Sequence, residues 1–156
     1  MIASLVSPLG PVEARFEGDR LIALAFTDSK PDLVEESELA RRLQRSLDAY
    51  FAGGPLVTDI PLSPRGTEFQ QSIWRLVQGI PMGQTATYLD IAAAYGDPKA
   101  TRAVGAVNGA NPICLFIPCH RVVGSDGKLT GYAYGLERKR QLLLLEGSLP
   151  QPSLGF

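Results

Sequence analysis

Ile117-Pro118-Cys119-His120-Arg121-Val122-Val123 places a cysteine directly before a histidine, and it is the most informative stretch of this chain. His120 is the only histidine among 156 residues, so any cysteine–histidine chemistry must use it. A free thiol has a pKa of about 8.5 and is mostly protonated at neutral pH. An imidazole that takes or shares the thiol proton makes the reactive thiolate. The stretch therefore indicates an activated cysteine nucleophile.

The two neighbours can cooperate only under a geometric condition. Adjacent side chains of an extended strand point to opposite faces. Cys119 and His120 therefore form a functional pair only if the chain turns here or a water molecule bridges them. The alternative is a buried, inert cysteine. We interpret Cys114, which lies in the preceding apolar run, as an inert core thiol of that kind.

Composition narrows the class of protein. The length suits one domain or two small ones, and the apolar fraction of 45% is ordinary for a chain that buries a core. Two cysteines are too few for a disulfide framework. No basic, apolar leader and no apolar run of about 18 residues is present, so we expect a cytoplasmic protein without a membrane anchor. No cysteine–histidine cluster has zinc-like spacing, and no glycine-rich phosphate-binding loop is present.

The charge is unevenly distributed along the chain. Residues 1–63 hold 6 Lys and Arg against 10 Asp and Glu, whereas residues 64–156 hold 9 against 6. The sign changes near Ile60-Pro61-Leu62-Ser63-Pro64, which has the composition of a linker. We therefore predict an N-terminal α/β domain with its linker over 1–63 and a C-terminal domain over 64–156. The basic second part can face a polyanion, or its excess charge can be ordinary solvated surface.

Hydrophobic periodicity and turn residues predict an α+β chain. In the second part, Thr67 and Gln70 have the spacing of a capping box, which predicts the start of a helix. Two later helices are joined by Gly96-Asp97-Pro98, which is typical of a helix-turn-helix, although ordinary packed helix pairs share the pattern. We expect a frayed tail over Gln151–Phe156. The predicted strands span 2–6, 12–16 and 20–26, and the predicted helices span 36–52, 88–95, 99–109 and 136–146. A further predicted helix begins after its cap Thr67 and is ended by Pro81-Met82-Gly83.

Several side chains could support nucleic-acid chemistry. The helix over 99–109 carries small residues together with Lys99 and Arg102, which suits insertion into a groove. Tyrosines such as Tyr88 can form the wall of a base-sized pocket by stacking, or they can be half-buried packing residues. Glu146 follows four leucines at the end of its helix. It can pair with His120, but spacing alone favours an exposed carboxylate.

Taken together, these residues resemble the O6-alkylguanine-DNA alkyltransferases, also called methylated-DNA–protein-cysteine methyltransferases. The run Pro118-Cys119-His120-Arg121-Val122 matches the family's specific active-site signature. Asn111-Pro112, Tyr88 to Arg102, Gly131-Tyr132 and Leu143 to Gly147 match in order and spacing. The resemblance implies two domains. The first is a small ribonuclease-H-like β-sheet with a helix, and the second is mainly helical with a winged-helix-like helix-turn-helix.

The resemblance also implies roles for individual residues. Cys119 is the expected alkyl acceptor, His120 its base through a water molecule, and Glu146 the group that orients the imidazole. Asn111 is expected to hold the turn before the active-site strand, and Arg102 to fill the gap left by an extruded base. The implied pocket residues are Tyr88, Tyr132, Ala133, Tyr134 and Lys139, with Lys139 also near the leaving group. The implied DNA contacts are Lys99, Thr101, Arg102, Ala103 and Gly105.

The implied function is DNA repair by direct reversal. An alkyl group would move once and irreversibly from O6-alkylguanine in double-stranded DNA to the cysteine, with O4-alkylthymine as a second candidate substrate. The helix-turn-helix would enter the minor groove and flip the base. No cofactor is implied, and we expect a monomer, with cooperativity along DNA left open. The chain departs from many members at Tyr134, where they have glycine, and it has no cysteine or histidine in its first part to hold zinc.

Two other classes compete with this interpretation. A non-catalytic module that binds alkylated bases would lack the cysteine, which is present here as Cys119. A thiol hydrolase on another fold would need an oxyanion hole and would turn over many times. The spacing around the helix-turn-helix argues against the hydrolase.

Overall fold

The computed structural model describes residues 1–28 and 36–149, so the tail expected over Gln151–Phe156 lies outside the described residues. The α+β class predicted from the sequence is confirmed: a small antiparallel sheet is followed by a mainly helical part. In chain order the elements are β1 Ile2–Leu5, β2 Val12–Glu17, β3 Arg20–Phe26, α1 Glu38–Phe51, α2 Glu68–Gln78, β4 Ala86–Thr87, α3 Tyr88–Tyr95, α4 Thr101–Gly109, β5 Val122–Val123 and α5 Leu136–Leu145.

The sheet β1-β2-β3 brings the two parts of the chain together. Alternate residues of β2 are buried, as expected for a strand with one face on the core. The outer edge of β3 is not left open, because it exchanges hydrogen bonds with two later segments. Leu21 donates to the carbonyl of Pro61 at 2.9 Å, and Leu24 donates to the carbonyl of Pro112 at 2.9 Å. The second of these segments leads directly to Cys119.

The helical part is organised by well-formed helix starts. Thr67 caps α2 and forms the expected capping box with Gln70, and Thr87 caps α3 in the same way with Asp90. The helix α3 ends at Gly96, whose φ of 102° lies in the left-handed region that glycine adopts without strain. These caps fix where α3 begins and ends, and they place Tyr88 at its first position.

The observed bounds differ from the predicted ones at α4. The sequence predicted a helix from residue 99, but a 3₁₀ turn spans Pro98–Ala100, and α4 begins at Thr101. The side chain of Asp97 accepts a hydrogen bond from the backbone of Lys99, which closes this tighter turn before the helix. The helix α5 ends one residue before Glu146, and Gly147 follows with a φ of 78°.

One hydrophobic core runs from the sheet into the helical part. It includes Leu24 of β3, Leu47 of α1 and Ile73 of α2, together with Leu142 of α5. Trp74 also crosses between helices, because its indole N–H donates to the carbonyl of Val107 in α4 at 3.0 Å. The sheet β1-β2-β3 and α1 therefore belong to the same core as the helices around Cys119. The domain boundary at residue 63 stays a prediction.

Candidate active site

The chain turns at Cys119, so the geometric condition derived from the sequence is met. Cys119–Arg121 form a 3₁₀ turn after Pro118, rather than an extended strand. Two asparagine amides hold the backbone at this turn and just before it. Asn111 Nδ2 donates to the carbonyl of Ile117 at 2.6 Å, and Asn108 Nδ2 donates to the carbonyl of Cys119 at 3.2 Å.

Asn111 also holds both ends of the segment from Ile113 to Ile117, which precedes the turn at Cys119. Its Oδ1 accepts the backbone N–H of Ile113 at 3.0 Å, while its Nδ2 binds the far side at Ile117. Between them, Leu115 has a φ of 71°, a left-handed conformation that costs an ordinary side chain about 1 kcal/mol or more. The two hydrogen bonds of Asn111 and the burial of Leu115 keep the chain in this conformation.

His120 and Glu146 form a hydrogen-bonded pair that is closed to solvent. His120 Nε2 donates to Glu146 Oε2 at 2.8 Å, and both side chains are 0% exposed. The exposed glutamate that spacing alone favoured is therefore wrong. The packing of α5 carries Glu146 inward, and hydrogen bonds satisfy its charge there. An ionised carboxylate only accepts hydrogen bonds, so Nε2 carries the imidazole proton and Nδ1 has a free lone pair.

Sequence reasoning missed two further partners of Glu146. Arg121 binds the carboxylate through Nε to Oε1 at 2.8 Å and through Nη2 to Oε2 at 2.9 Å. The hydroxyl of Tyr50, in α1, donates to Oε2 at 2.5 Å. Arg121 lies inside the signature stretch, so a buried cation there could have been expected to need a carboxylate. Nothing in the sequence connects Tyr50 with a residue 96 positions later.

The electrostatics favour a neutral resting pair. Burial raises the pKa of the Cys119 thiol, and a hydrogen bond with Asn111 and the charge of Lys139 only partly offset this. Burial lowers the pKa of His120 in spite of the nearby Glu146. Burial alone would raise the pKa of Glu146, but hydrogen bonds from His120, Arg121 and Tyr50 outweigh it and lower that pKa to about 2. Ionisation of the thiol therefore requires a base that accepts its proton.

Cys119 opens onto a pocket of about 190 Å³, which is a suitable size for one ring system. The loop after β5 and the face of α4 form its walls. The lining residues are Tyr88, Gly105, Asn108, Gly109, Asn111, Cys119, Gly131, Tyr132, Ala133 and Tyr134. The sequence-predicted pocket tyrosines therefore come together at Cys119, and Asn108 is a lining residue that the sequence reasoning missed. The ring of Tyr134 lies edge-on to that of Tyr132 at 5.4 Å, so it narrows the pocket.

Lys139 takes a different position from the one expected. It does not line the pocket, and its Nζ donates to the carbonyls of Val122 at 2.7 Å, Thr130 at 2.8 Å and Gly131 at 3.2 Å. A buried ammonium group must satisfy its donors, and these carbonyls do so. Lys139 therefore fastens the pocket loop to β5, and its expected contact with the leaving group stays a prediction. Burial lowers its pKa to about 8, although the nearby Cys119 acts in the opposite direction.

The start of α4 presents the residues expected to contact DNA. Lys99, Arg102 and Ala103 are exposed, and the hydroxyl of Thr101 donates to the carbonyl of Pro98 at 2.7 Å. Gly105 lies beside the ring of Tyr88 and lines the pocket. Since residues three apart share a helix face, Arg102 lies on the side of α4 that borders the pocket.

Two negative findings apply to residues 1–28 and 36–149. No group of three or more His, Cys, Asp and Glu side chains is arranged there to hold a metal ion. No helix in those ranges is both long enough and apolar enough to cross a membrane.

Comparison with known proteins supports the assignment made from the signature. Residues 68–148 match the sequence model of the "6-O-methylguanine DNA methyltransferase, DNA binding domain" family. A methylated-DNA–protein-cysteine methyltransferase of Methanosarcina acetivorans is 49% identical over 148 residues, covering 91% of this chain and 95% of that protein. The structure of Mycobacterium tuberculosis OGT in complex with DNA superposes with a TM-score of 0.86 at 42% identity, covering 94% and 92% of the two chains.

A more distant structure has the same fold. An O6-methylguanine DNA methyltransferase of Methanococcus jannaschii is 30% identical, with a TM-score of 0.69 over 100% of this chain and 98% of that one. The fold and the pocket cysteine thus define a protein of the DNA-alkyltransferase class. The chain belongs to the methylated-DNA–protein-cysteine methyltransferase family.

Proposed function

We propose that this protein repairs DNA by moving an alkyl group from O6-alkylguanine to its own Cys119 in a single turnover. The observation that carries this proposal is the position of Cys119 in a base-sized pocket, next to the buried pair of His120 and Glu146. Membership of the family, by match and by identity over most of the chain, supports the same reaction.

The reaction begins with removal of the thiol proton. The free lone pair is on His120 Nδ1, which has no hydrogen-bond partner within the described residues. We assign the proton of Cys119 to this nitrogen, by way of a bridging water. The imidazolium that forms is stabilised by Glu146, which already accepts the Nε2 proton.

The thiolate then displaces guanine in line. Its sulfur forms a bond to the alkyl carbon, the bond from that carbon to O6 breaks, and the electron pair leaves with the base. Hydrogen bonds to the guanine ring stabilise the departing charge. The product is a thioether, which has no good leaving group, so the protein reacts once and needs no cofactor.

The target atom lies inside the base stack, so we assign a base-flipping step to this protein. Extrusion of the nucleotide costs a few kcal/mol, and stacking and hydrogen bonding of the base in the pocket offset this cost. Tyr88, at the first position of α3, is assigned to rotation of the nucleotide, and the exposed Arg102 of α4 to the gap it leaves. Entry of α4 by the minor groove suits an enzyme that recognises damage rather than sequence. The same pocket can be tested with O4-alkylthymine.

The alternative is a non-catalytic module that binds alkylated bases. It needs the pocket and the exposed face of α4, but it has no use for a cysteine whose backbone is held by Asn108 and whose neighbour is a buried histidine. The arrangement around Cys119 therefore favours the methyltransferase.

The deciding test is intact-mass spectrometry after incubation with duplex DNA that contains one O6-methylguanine. We expect a gain of one methylene mass, at most once per molecule, in the wild type. Cys119→Ala should gain nothing, whereas Cys114→Ala, which removes the other free cysteine, should still react. Tight binding to the lesion without any mass change in the wild type would establish the binding module instead. Repeated turnover would exclude the single-turnover mechanism.

A further inference from the structure

The carboxylate of Glu146 accepts four hydrogen bonds, unevenly divided between its two oxygens. An ionised carboxylate offers about four lone-pair sites. Arg121 Nε occupies one on Oε1, and Oε2 accepts from Arg121 Nη2, from His120 Nε2 and from the hydroxyl of Tyr50. Three of the four donors therefore share the oxygen that holds the imidazole. Tyr50 is the one donor of the four that comes from the first part of the chain.

Tyr50 is held rigidly in this position. Its side chain is 0% exposed, it lies in the last turn of α1, and its ring lies edge-on to that of Phe51 at 5.1 Å. Its hydroxyl donates to Glu146 Oε2 at 2.5 Å, while burial and the nearby carboxylate raise its pKa, so that it remains a donor. A short, buried hydrogen bond to a charged oxygen is among the stronger ones in proteins.

We propose that Tyr50 is a positioning residue for the alkyl transfer: its hydroxyl takes up part of the hydrogen-bonding capacity of Glu146 Oε2, so that the carboxylate orients the imidazole of His120 without drawing a proton onto it. This inference rests on the proposed function, because it assigns to His120 the work of a base. It gives α1 a part in the chemistry beyond bracing the fold.

The charges around His120 determine the sign of the effect. Glu146 favours the imidazolium, whereas Arg121 and Lys139 oppose it, and Cys119 is the adjoining group that must give up its proton. Each donor on Oε2 reduces the charge that this oxygen offers to His120. Removal of the Tyr50 hydroxyl should therefore make Glu146 a stronger acceptor, stabilise the imidazolium and raise the pKa of His120.

The first measurement needs no DNA, because His120 is the only histidine in the chain. NMR of the ¹⁵N-labelled imidazole reports its tautomer and its titration directly. We expect the neutral wild type to carry its proton on Nε2. In Tyr50→Phe the titration midpoint should rise by roughly half a pKa unit or more. The matched control is Ser46→Ala, which removes a hydroxyl that donates within α1 to Arg42; its titration should equal that of the wild type. An unchanged midpoint in Tyr50→Phe would overturn the inference.

The second measurement is the pH dependence of methyl transfer by the same three proteins. A neutral imidazole is the competent base, so the acid limb of the rate should move to higher pH in Tyr50→Phe by the same amount as the NMR midpoint. A uniformly slower rate with an unmoved limb would indicate a merely structural tyrosine and would overturn the inference. Absence of transfer by the wild type at every pH would overturn the proposed function instead, and the NMR titration distinguishes the two failures.

Fluorotyrosine provides a test of opposite sign that keeps the ring in place if Tyr50→Phe does not fold. Fluorination makes the phenol a stronger donor, so it should lower the pKa of His120 in the wild type. All five tyrosines are exchanged at once. The same exchange in a tyrosine-to-phenylalanine series at Tyr88, Tyr95, Tyr132 and Tyr134 separates their contributions from that of Tyr50. If replacing one of those four tyrosines abolishes the fluorination shift in the His120 pKa, the assignment to Tyr50 is overturned.

Discussion

Tyr134 sets the width of the pocket. Its ring lies edge-on to Tyr132 at 5.4 Å and to Phe26 of β3 at 5.5 Å, so the sheet supports it from behind. A bulky adduct must compete with this ring, whereas a methyl group does not. We expect Tyr134→Gly to raise the benzyl-to-methyl ratio of transfer rates relative to the wild type. Single-turnover rates with O6-benzylguanine and O6-methylguanine in DNA measure it, and equal ratios in the two proteins would contradict the prediction.

Glu146 stabilises the fold as well as the imidazole. Glu146→Gln keeps the shape but leaves the buried Arg121 guanidinium without its counter-charge, an arrangement that costs about 3–5 kcal/mol. Urea unfolding measures the loss. Glu137→Gln is the control, because Glu137 pairs with Arg140 on the surface, where solvent screens the pair and it contributes little to stability. Equal losses of unfolding free energy in the two variants would show that the buried pair of Glu146 and Arg121 stabilises the fold no more than an exposed pair does.

The same residue predicts a pH dependence of stability. The folded-state pKa of Glu146 is about 2, which is below the unfolded value of about 4.3. Its contribution is therefore present above the unfolded pKa and is lost as the pH falls from there through the folded pKa. We expect the wild type to lose stability more steeply than Glu146→Gln between about pH 5 and pH 2. Parallel unfolding curves for the two proteins over this range would contradict this.

Individual residues were predictable where chemistry and spacing coincide. Cys119 and His120 stand out because a lone histidine next to a cysteine is visible in the sequence. Tyr50 does not, because its partner lies 96 residues away and only packing of α1 against α5 joins them. The hydrogen bonds of Lys139 were not predictable for a related reason: a lysine in a helix gives no sign that three backbone carbonyls will surround it.

At the scale of the element, α4 is both the helix expected to contact DNA and one wall of the pocket at Cys119. Gly105 lies inside it, and a methyl group built there would meet the ring of Tyr88 at 3.8 Å, which is an ordinary contact. Gly105→Ala should therefore fold and gain about 0.5–1 kcal/mol of stability, the usual difference between the two residues in a helix. The added methyl group enters the pocket, so methyl transfer should slow. Thermal unfolding and single-turnover rates test both effects, and a stabilised variant with unchanged rates would contradict the second.

Elements are predictable where a local cap sets their ends. The capping box of Thr67 and Gln70 is present as expected, because the side chain of each residue accepts a hydrogen bond from the backbone N–H of the other. The start of α4 was less predictable, because Asp97 diverts the backbone into a 3₁₀ turn that the helical periodicity does not distinguish from α-helix. The turn at Cys119 also depends on distant groups, namely the amides of Asn108 and Asn111.

For the whole molecule, the sequence predicts the α+β class but not how its two parts meet. The alternation in β1 to β3 predicts strands, yet nothing local predicts that the edge of β3 will bind the segments at Pro61 and Pro112. No charge pattern and no motif in the sequence marks the residues that form these backbone hydrogen bonds. They follow from the need of an exposed sheet edge for partners once the core has formed.

This joint core leads to a last prediction, that the whole chain unfolds in one transition. Trp74 is the only tryptophan, is buried in α2 and reports on the second part, while the methyl groups of Val12, in β2, report on the first. Leu21 of β3 is fully buried, so Leu21→Ala should cost about 2–5 kcal/mol. Because the core is continuous, this variant should lower the urea midpoints of Trp74 fluorescence and of the Val12 methyl signals together. A shift confined to the methyl signals would mean that the first 63 residues unfold on their own, and Tyr50 would then leave Glu146 whenever they do.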